Sequence, residues 1–390
     1  MNHSSFAKFI LGAMLIVFLG VACDSPAPVL FQIKKNEKIG FIDQAGKVVI
    51  EPQFDCASYF SDGLATIVVN KKEGFIDARG KIVIPTQFDD AVPFSEGLAR
   101  VRNDKKSGFI DKSGKVIIDL LYDSANQFAE GFAVVAVNKK YGYVDKTGKV
   151  IVEPQYDSAK DFADGLAVVE LGKRYGYIDK SGQRVIDLQF DSADSFGDGL
   201  ARVKVGDRYG YIDKTGKRVI DVQFDAANPF SEGLAGVASN GKYGYIDKTG
   251  SWVIPAQYYT TRSSGGNLLA MFAFETWFCG LAIRDESSPA VGRFADGLAQ
   301  VQVNNRYGYI DKTGQMIIQP QFEWVQNFSE GLASVRVNKQ YGYIDKTGTM
   351  VIKPQFTNAR AFMNGLAAVK IDDKAGYIDK TGKYVWEPTQ

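Results

Sequence analysis

The sequence predicts an all-β repeat protein. It reads as ten units of about 34 residues, each with three short antiparallel strands and one helical turn, forming an open superhelical, solenoid-like array. The first observation behind this is the motif Gly-aromatic-Ile/Val-Asp. It begins at Gly40, Gly74, Gly108, Gly142, Gly176, Gly210, Gly244, Gly308, Gly342 and Gly376, with every step 34 residues except one of 64. Secondly, Gly-Leu/Phe-Ala keeps the same rhythm from Gly63 to Gly233 and again from Gly297 to Gly365. Thirdly, 40 glycines and 13% aromatic residues suit turn-rich β-structure better than helices. A propeller-like toroid is the alternative, but propellers typically use about four to eight blades of four strands. Ten three-stranded units therefore favour the open array.

Comparison of the copies assigns each element. In Gly165-Leu166-Ala167-Val168-Val169, the positions of Ala167 and Val169 stay small and apolar in copy after copy, as Ala65/Ile67, Ala99/Val101, Ala201/Val203, Ala299/Val301 and Ala367/Val369, whereas those between and after them vary. That is a first strand with one packed and one free face. Tyr175-Gly176-Tyr177-Ile178-Asp179 forms a second strand, in which glycine permits close approach of a neighbouring backbone. A turn follows through Asp179 and Gly182, as through Asp145 and Gly148, Asp213 and Gly216, and Asp311 and Gly314. The third strand is Arg184-Val185-Ile186-Asp187, running out at Phe190. The segment from Asp191 through Phe196 to Gly199 reads as the helical turn, with aspartate at its start and glycine at its end.

The chain divides into a signal peptide (1–22), a lipidated linker (23–28) and the array (29–388), interrupted by an insertion at about 259–288. Lys8 precedes an uncharged run, 9–22, that is too short to span a bilayer comfortably. The sequence Leu19-Gly20-Val21-Ala22-Cys23 resembles a bacterial lipoprotein signal, which implies lipid attachment at Cys23 and an address at the cell envelope. Cys56 and Cys279, several units apart, read as buried small apolar residues.

Residues 308–322, Gly-Tyr-Ile-Asp-Lys-Thr-Gly-Gln-Met-Ile-Ile-Gln-Pro-Gln-Phe, resemble the bacterial WG repeat family, and the resemblance covers nearly all of the chain after the signal. It implies a β-rich scaffold, often exported, with no assigned activity and no catalytic residues to carry over. The tryptophan that names the family is replaced here, as at Tyr175, Ile39, Glu73, Ser107 and Ala375.

Several chemistries are excluded. With 46 Lys+Arg against 45 Asp+Glu, the chain lacks the basic excess of a nucleic-acid binder. His3, the only histidine, falls in the signal segment, so the exported chain has no imidazole for a Ser-His-Asp triad or a zinc site. The Asp-x-x-Gly turns offer one carboxylate each where a calcium loop needs several, and no phosphate-binding loop is present. No catalytic residue, metal or cofactor is expected. A hydrolase using carboxylates alone is the remaining enzymatic alternative.

Recognition remains. The candidate binding face is basic at Arg100, Arg102, Arg202, Lys204, Arg336 and Lys370 on the variable side of the first strand. The insertion supplies a candidate binding loop with Arg262, Phe272, Phe274, Trp277 and Phe278. The expected function is a non-catalytic, lipid-anchored scaffold binding a protein or polymer at the envelope. The alternative is a glycan-binding module in which the repeated aromatics stack on sugars.

Overall fold

The computed structural model describes residues 29–259 and 291–389. It consists of ten small antiparallel sheets, or blades, and contains no helix among the described residues. Blade 1 has three strands: β1 (Phe31–Lys35), β2 (Lys38–Ile42) and β3 (Val48–Phe54). Blade 2 has four, β4 (Cys56–Ala57), β5 (Leu64–Val69), β6 (Lys72–Asp77) and β7 (Ile82–Phe88), hydrogen-bonded in that order. The pattern repeats to blade 10, which ends at Tyr384–Thr389. In blade 8 an isolated bridge between Val291 and Val301 replaces the short strand.

The expected helical turn is instead this short strand plus a hairpin. Ser192 and Ala193 pair with Lys204 and Val203. The chain then reverses through Asp198 (φ 58°) and Gly199 (φ 85°), with Gly197 and Leu200 exchanging backbone hydrogen bonds. Two consecutive left-handed residues define a type I′ hairpin, for which Asp-Gly is a favoured dipeptide. The two-residue pairing is too short to show an alternation of its own.

Gly176 does permit a close approach, and the neighbour is the third long strand of its own blade. Between the pairs Tyr175–Phe190 and Tyr177–Ile186 the register slips, so that strand bulges. A Cβ on Gly176 would lie 2.5 Å from the Ile186 carbonyl oxygen. The bulge region of several blades also holds a proline, such as Pro52 or Pro154, which blunts an otherwise exposed sheet edge.

Blades pack face to face because neither surface of the small sheet can be buried within it. Leu166, Val168, Tyr177, Ile186 and Phe190 of blade 5 enclose a core with Ala193, Phe196, Ala201, Val203 and Ile212 of blade 6. Consecutive residues of the second long strand therefore serve different interfaces: Tyr177 points to the following blade and Ile178 to the preceding one. The first half of the first long strand has no free face, and only its far end, as at Arg102, reaches solvent. Val168 and Val134 are each 2% exposed, and Thr66 and Ser334 at the same position are buried. Small apolar residues face backwards and a variable set faces forwards, both within interfaces.

The array is closed, a propeller-like ring and not an open superhelix. Phe31, Ile33 and Ile42 of blade 1 share a core with Leu366 and Tyr377 of blade 10. Tyr377 meets the Phe31 ring edge-on at 5.4 Å, repeating at the seam the contact made by Tyr177 with Phe196 or Tyr343 with Phe362. At this seam the ring that meets the tyrosine comes from Phe31, which stands in the first long strand where other blades have alanine. Gln44 Nε2 donates to the Asn364 carbonyl at 2.9 Å across the same seam.

Two substitutions test these contacts. Gly176→Ala should lower Tm strongly, while Gly197→Ala, whose added methyl meets nothing within 4 Å, should change stability by no more than about 1 kcal/mol in thermal melts. Phe31→Ala should cost about 3–5 kcal/mol, the range for truncating a buried aromatic, even though it lies in the first strand of the chain.

Candidate functional site

The meander gives the ring two distinct faces. One carries the I′ hairpins that follow the short strands together with the Asp-x-x-Gly turns; the other carries the hairpins between the first and second long strands and the crossings between blades. On the first face Asp145 Oδ1 accepts from the Thr147 and Lys149 amides and from the Thr147 hydroxyl. Asp179, Asp213 and Asp311 make the same set of contacts with their own turn residues. The hydroxyl bond is the main reason these four carboxyls are held below their usual value. Gly148, Gly182, Gly216 and Gly314 close the turns with φ near 82–87°.

An acidic residue on that face also ties each blade to the next through most of the ring. Glu96 accepts the Gly131 amide at 2.9 Å and pairs with Lys146 at 2.9 Å; Glu130 does the same with Gly165 and Lys180, and Glu330 with Gly365 and Lys380. Partial burial works against the charge of Glu96, but the lysine and the amide outweigh it and its pKa falls. At the seam the equivalents of acid and lysine are Asn364 and Gln44, so the closing contact is uncharged.

On the second face the tie is an aspartate at most crossings, with Glu323 and Thr357 in its place at the last two. Asp89 takes Lys72 of its preceding blade on one oxygen (2.6 Å) and the Asp104 amide of the next hairpin on the other (2.9 Å). Asp55, Asp123 and Asp157 do likewise with Lys38, Lys106 and Lys140. The lysine is the leading cause that holds all four carboxyls low.

The six basic residues expected to form a binding face lie in blades 3, 6, 9 and 10 and do not converge. Arg100 and Arg102 both turn onto Asp90. Arg202 bonds Asp194 and the Ala227 carbonyl of the next blade and lies over the Tyr209 ring, where Lys204 also sits at 5.5 Å. Arg336 approaches Glu323 at 3.4 Å and the Tyr341 ring at 5.9 Å. Lys370 is cross-strand from Asn358. Most of these cations thus take part in local ion pairs or ring contacts. Cys23, Arg262, Phe272, Phe274, Trp277 and Phe278 lie outside the described residues.

The second-strand tyrosines are interface residues. Tyr143, Tyr177, Tyr211, Tyr245, Tyr309 and Tyr343 are almost fully buried, and each hydroxyl donates to a backbone carbonyl of the following blade at 2.6–2.8 Å. Burial pushes their pKa values well up. Stacking on sugars from these positions is ruled out. The tyrosines just before each glycine, such as Tyr175 and Tyr209, remain half-buried.

Glu73 departs from the repeat. It occupies the place of those half-buried tyrosines and accepts the Ala91 amide at 2.7 Å. Burial raises its pKa, the Ala91 amide chiefly opposing it, with the Asp90 charge adding to the rise and Arg100 and Arg102 opposing it further. Cys56 is disulfide-bonded, which corrects its reading as an unpaired apolar residue. Among the described residues no three acidic, histidine or cysteine side chains gather as a metal site.

The fold is thus a closed ten-bladed β ring of propeller type. The profile of the WG containing repeat matches residues 39–72, 74–106, 108–141, 141–175, 175–209, 209–243, 243–268, 307–341 and 341–374, and the chain belongs to that family. No curated protein sequence matches it. Among solved structures, a eukaryotic initiation factor is similar at TM-score 0.50 with 11% identity, covering 94% of this chain and 98% of the other. KlHsv2 with a replaced loop scores 0.36 at 9% identity over 68% and 98%, and the dihydro-heme d1 dehydrogenase NirN scores 0.36 at 12% over 76% and 73%.

The pKa shifts have opposite signs and predict opposite pH behaviour. The crossing aspartates are depressed in the fold, so their stabilisation is complete above about pH 3.9 and is lost as pH falls through their lowered values. Melting temperature should therefore be nearly flat from about pH 5 to about pH 9, below the range in which the buried tyrosines would have to ionise on unfolding, and decline below about pH 4, more gently in high salt because these groups are exposed. Glu73 is raised, so it favours folding only while protonated and costs stability as pH rises above about 4.3. Glu73→Gln should raise Tm by ~1–2 °C at pH 7, a gain that vanishes near pH 4.

Proposed function

We propose that this protein is a non-catalytic scaffold, exported and held at the bacterial cell envelope by a lipid on Cys23, that binds a protein or polymer partner. The observation that carries this reading is the use made of the repeated carboxylates. The turn aspartates accept their own turn amides, and the crossing and hairpin acids accept amides and lysines of adjacent blades. An acid fixed in this way holds the ring together and has no proton to exchange at neutral pH. What varies between blades is the composition of the hairpin tips, where a partner can be read. The insertion supports the same reading by its position: the chain leaves blade 7 after Tyr259 and re-enters at Val291, on the face that carries the tips between the first and second long strands.

The lipid places a condition on the cysteines. A thioether and a disulfide would use the same sulfur of Cys23, so the lipid-anchored form requires Cys56 to pair with Cys279. Non-reducing peptide mapping of protein extracted from membranes should yield an acylated Cys23 peptide and a Cys56–Cys279 cross-linked one. A Cys23–Cys56 peptide from the membrane fraction would contradict the anchor. Crosslinked pull-down from native membranes tests the scaffold itself; recovery of the protein without any partner, or substrate turnover lost on changing a single acid, would overturn it.

A further inference from the structure

Four consecutive blades carry a lysine at the tip of the hairpin joining the first two long strands: Lys71, Lys105, Lys139 and Lys173 in blades 2 to 5. All four are exposed and all sit in the left-handed region, at φ 62°, 65°, 62° and 63°. A side chain there strains the backbone, and the second residue of such a turn is ordinarily glycine. Blade 7 has that glycine, Gly241 (φ 74°), with open space where a Cβ would stand. Packing therefore does not require lysine at the tip.

The tips are rigidly mounted. The residue before each lysine donates its amide to the crossing aspartate of the preceding blade: Asn70 to Asp55, Asp104 to Asp89, Asn138 to Asp123 and Gly172 to Asp157, at 2.7–2.9 Å. Each aspartate is already neutralised by Lys38, Lys72, Lys106 or Lys140, so the tip lysines add positive charge beyond those pairs. Asp104 is the one acid within the four tips. Elsewhere on the same face the row is broken: the tips have Glu37 in blade 1, Asp207 in blade 6, Asn305 in blade 8 and Asp372 with Asp373 in blade 10, and a single lysine, Lys339 (φ 65°), recurs in blade 9.

We propose that Lys71, Lys105, Lys139 and Lys173 form a pre-organised basic arc that binds an extended anionic glycan along blades 2 to 5. This names a ligand class for the scaffold proposed above and rests on that reading. A curved row of fixed cations, one per blade, matches a polymer whose negative groups recur along its length, and rigid mounting lowers the entropic cost of engaging several at once. A membrane fits less well. The chain enters blade 1 at Leu30, on the face opposite the arc, so an anchor preceding it turns the arc away from the bilayer.

The test uses the full chain and a quadruple variant, Lys71→Gly, Lys105→Gly, Lys139→Gly and Lys173→Gly. Glycine relieves the turn strain, so the variant should melt at the same temperature as wild type or higher, which separates binding from folding. Dextran sulfate and polygalacturonate serve as probes, with neutral dextran as control and vesicles containing phosphatidylglycerol as the competing surface. Wild type should bind both anionic polymers with an affinity that falls steeply with salt, and the variant should bind at least tenfold more weakly with a shallower salt dependence. Equal binding by the variant, or preference for the vesicles or for an acidic protein partner, overturns the arc. If the variant still crosslinks its native partner in membranes, the arc fails while the scaffold reading stands; if wild type crosslinks none, the scaffold reading fails.

Discussion

Everything in this molecule depends on a blade being unable to bury itself. A sheet of three or four short strands has two apolar faces and no interior, so each face must be covered by a neighbour. The second long strand shows this most directly. Its aromatic residue enters the core shared with the following blade and its isoleucine the core shared with the preceding one. The edge-to-face ring pair at each interface, worth about 0.5–1.5 kcal/mol beyond burial alone, recurs at the seam through Tyr377 and Phe31. Closure removes the two end faces that an open array would leave exposed.

Polar groups then fix the angle between blades that apolar contact leaves adjustable. A tyrosine hydroxyl reaches forward to a carbonyl, an acid on one face reaches an amide and a lysine, and an aspartate on the other does the same. Individually the exposed ion pairs contribute about 0–1 kcal/mol. Their repetition matters more, because the same small rotation must be made at every interface for the ends to meet. Blades 1 to 3 have phenylalanine at the tyrosine position and do without the hydroxyl bond.

The sequence made the period, the long strands and the Asp-x-x-Gly turns readable, because each depends on residues close together in the chain. The hairpin after the short strand was misread for a local reason. Asp198-Gly199 fits a helix end as well as a type I′ turn, and only the partner of Ser192 and Ala193, some ten residues away, decides between them. The supposed free face of the first strand failed for a different reason. Variation at Thr66, Val134, Val168 and Ser334 resembles solvent exposure, but these positions are buried, and Val134 and Val168 lie in cores shared with the following blade. Closure was the least visible feature, since a strict period is common to arrays and rings. Its traces are the exceptions to the repeat: phenylalanine at position 31 in place of alanine, and Gln44 and Asn364 in place of lysine and acid. The basic arc is not legible in the sequence, because lysine is common throughout the chain and these four stand out only by their left-handed backbone angles.

The direct test of the ring is the distance between its ends. With spectroscopic labels at positions 44 and 364, in a background lacking other free thiols, blades 1 and 10 should report near-contact separation, as the hydrogen bond between these residues requires. Ten sheets stacked openly at about 10 Å each would place the labels roughly 90 Å apart. A separation of that order, or a broad distribution reaching it, would contradict the closed ring.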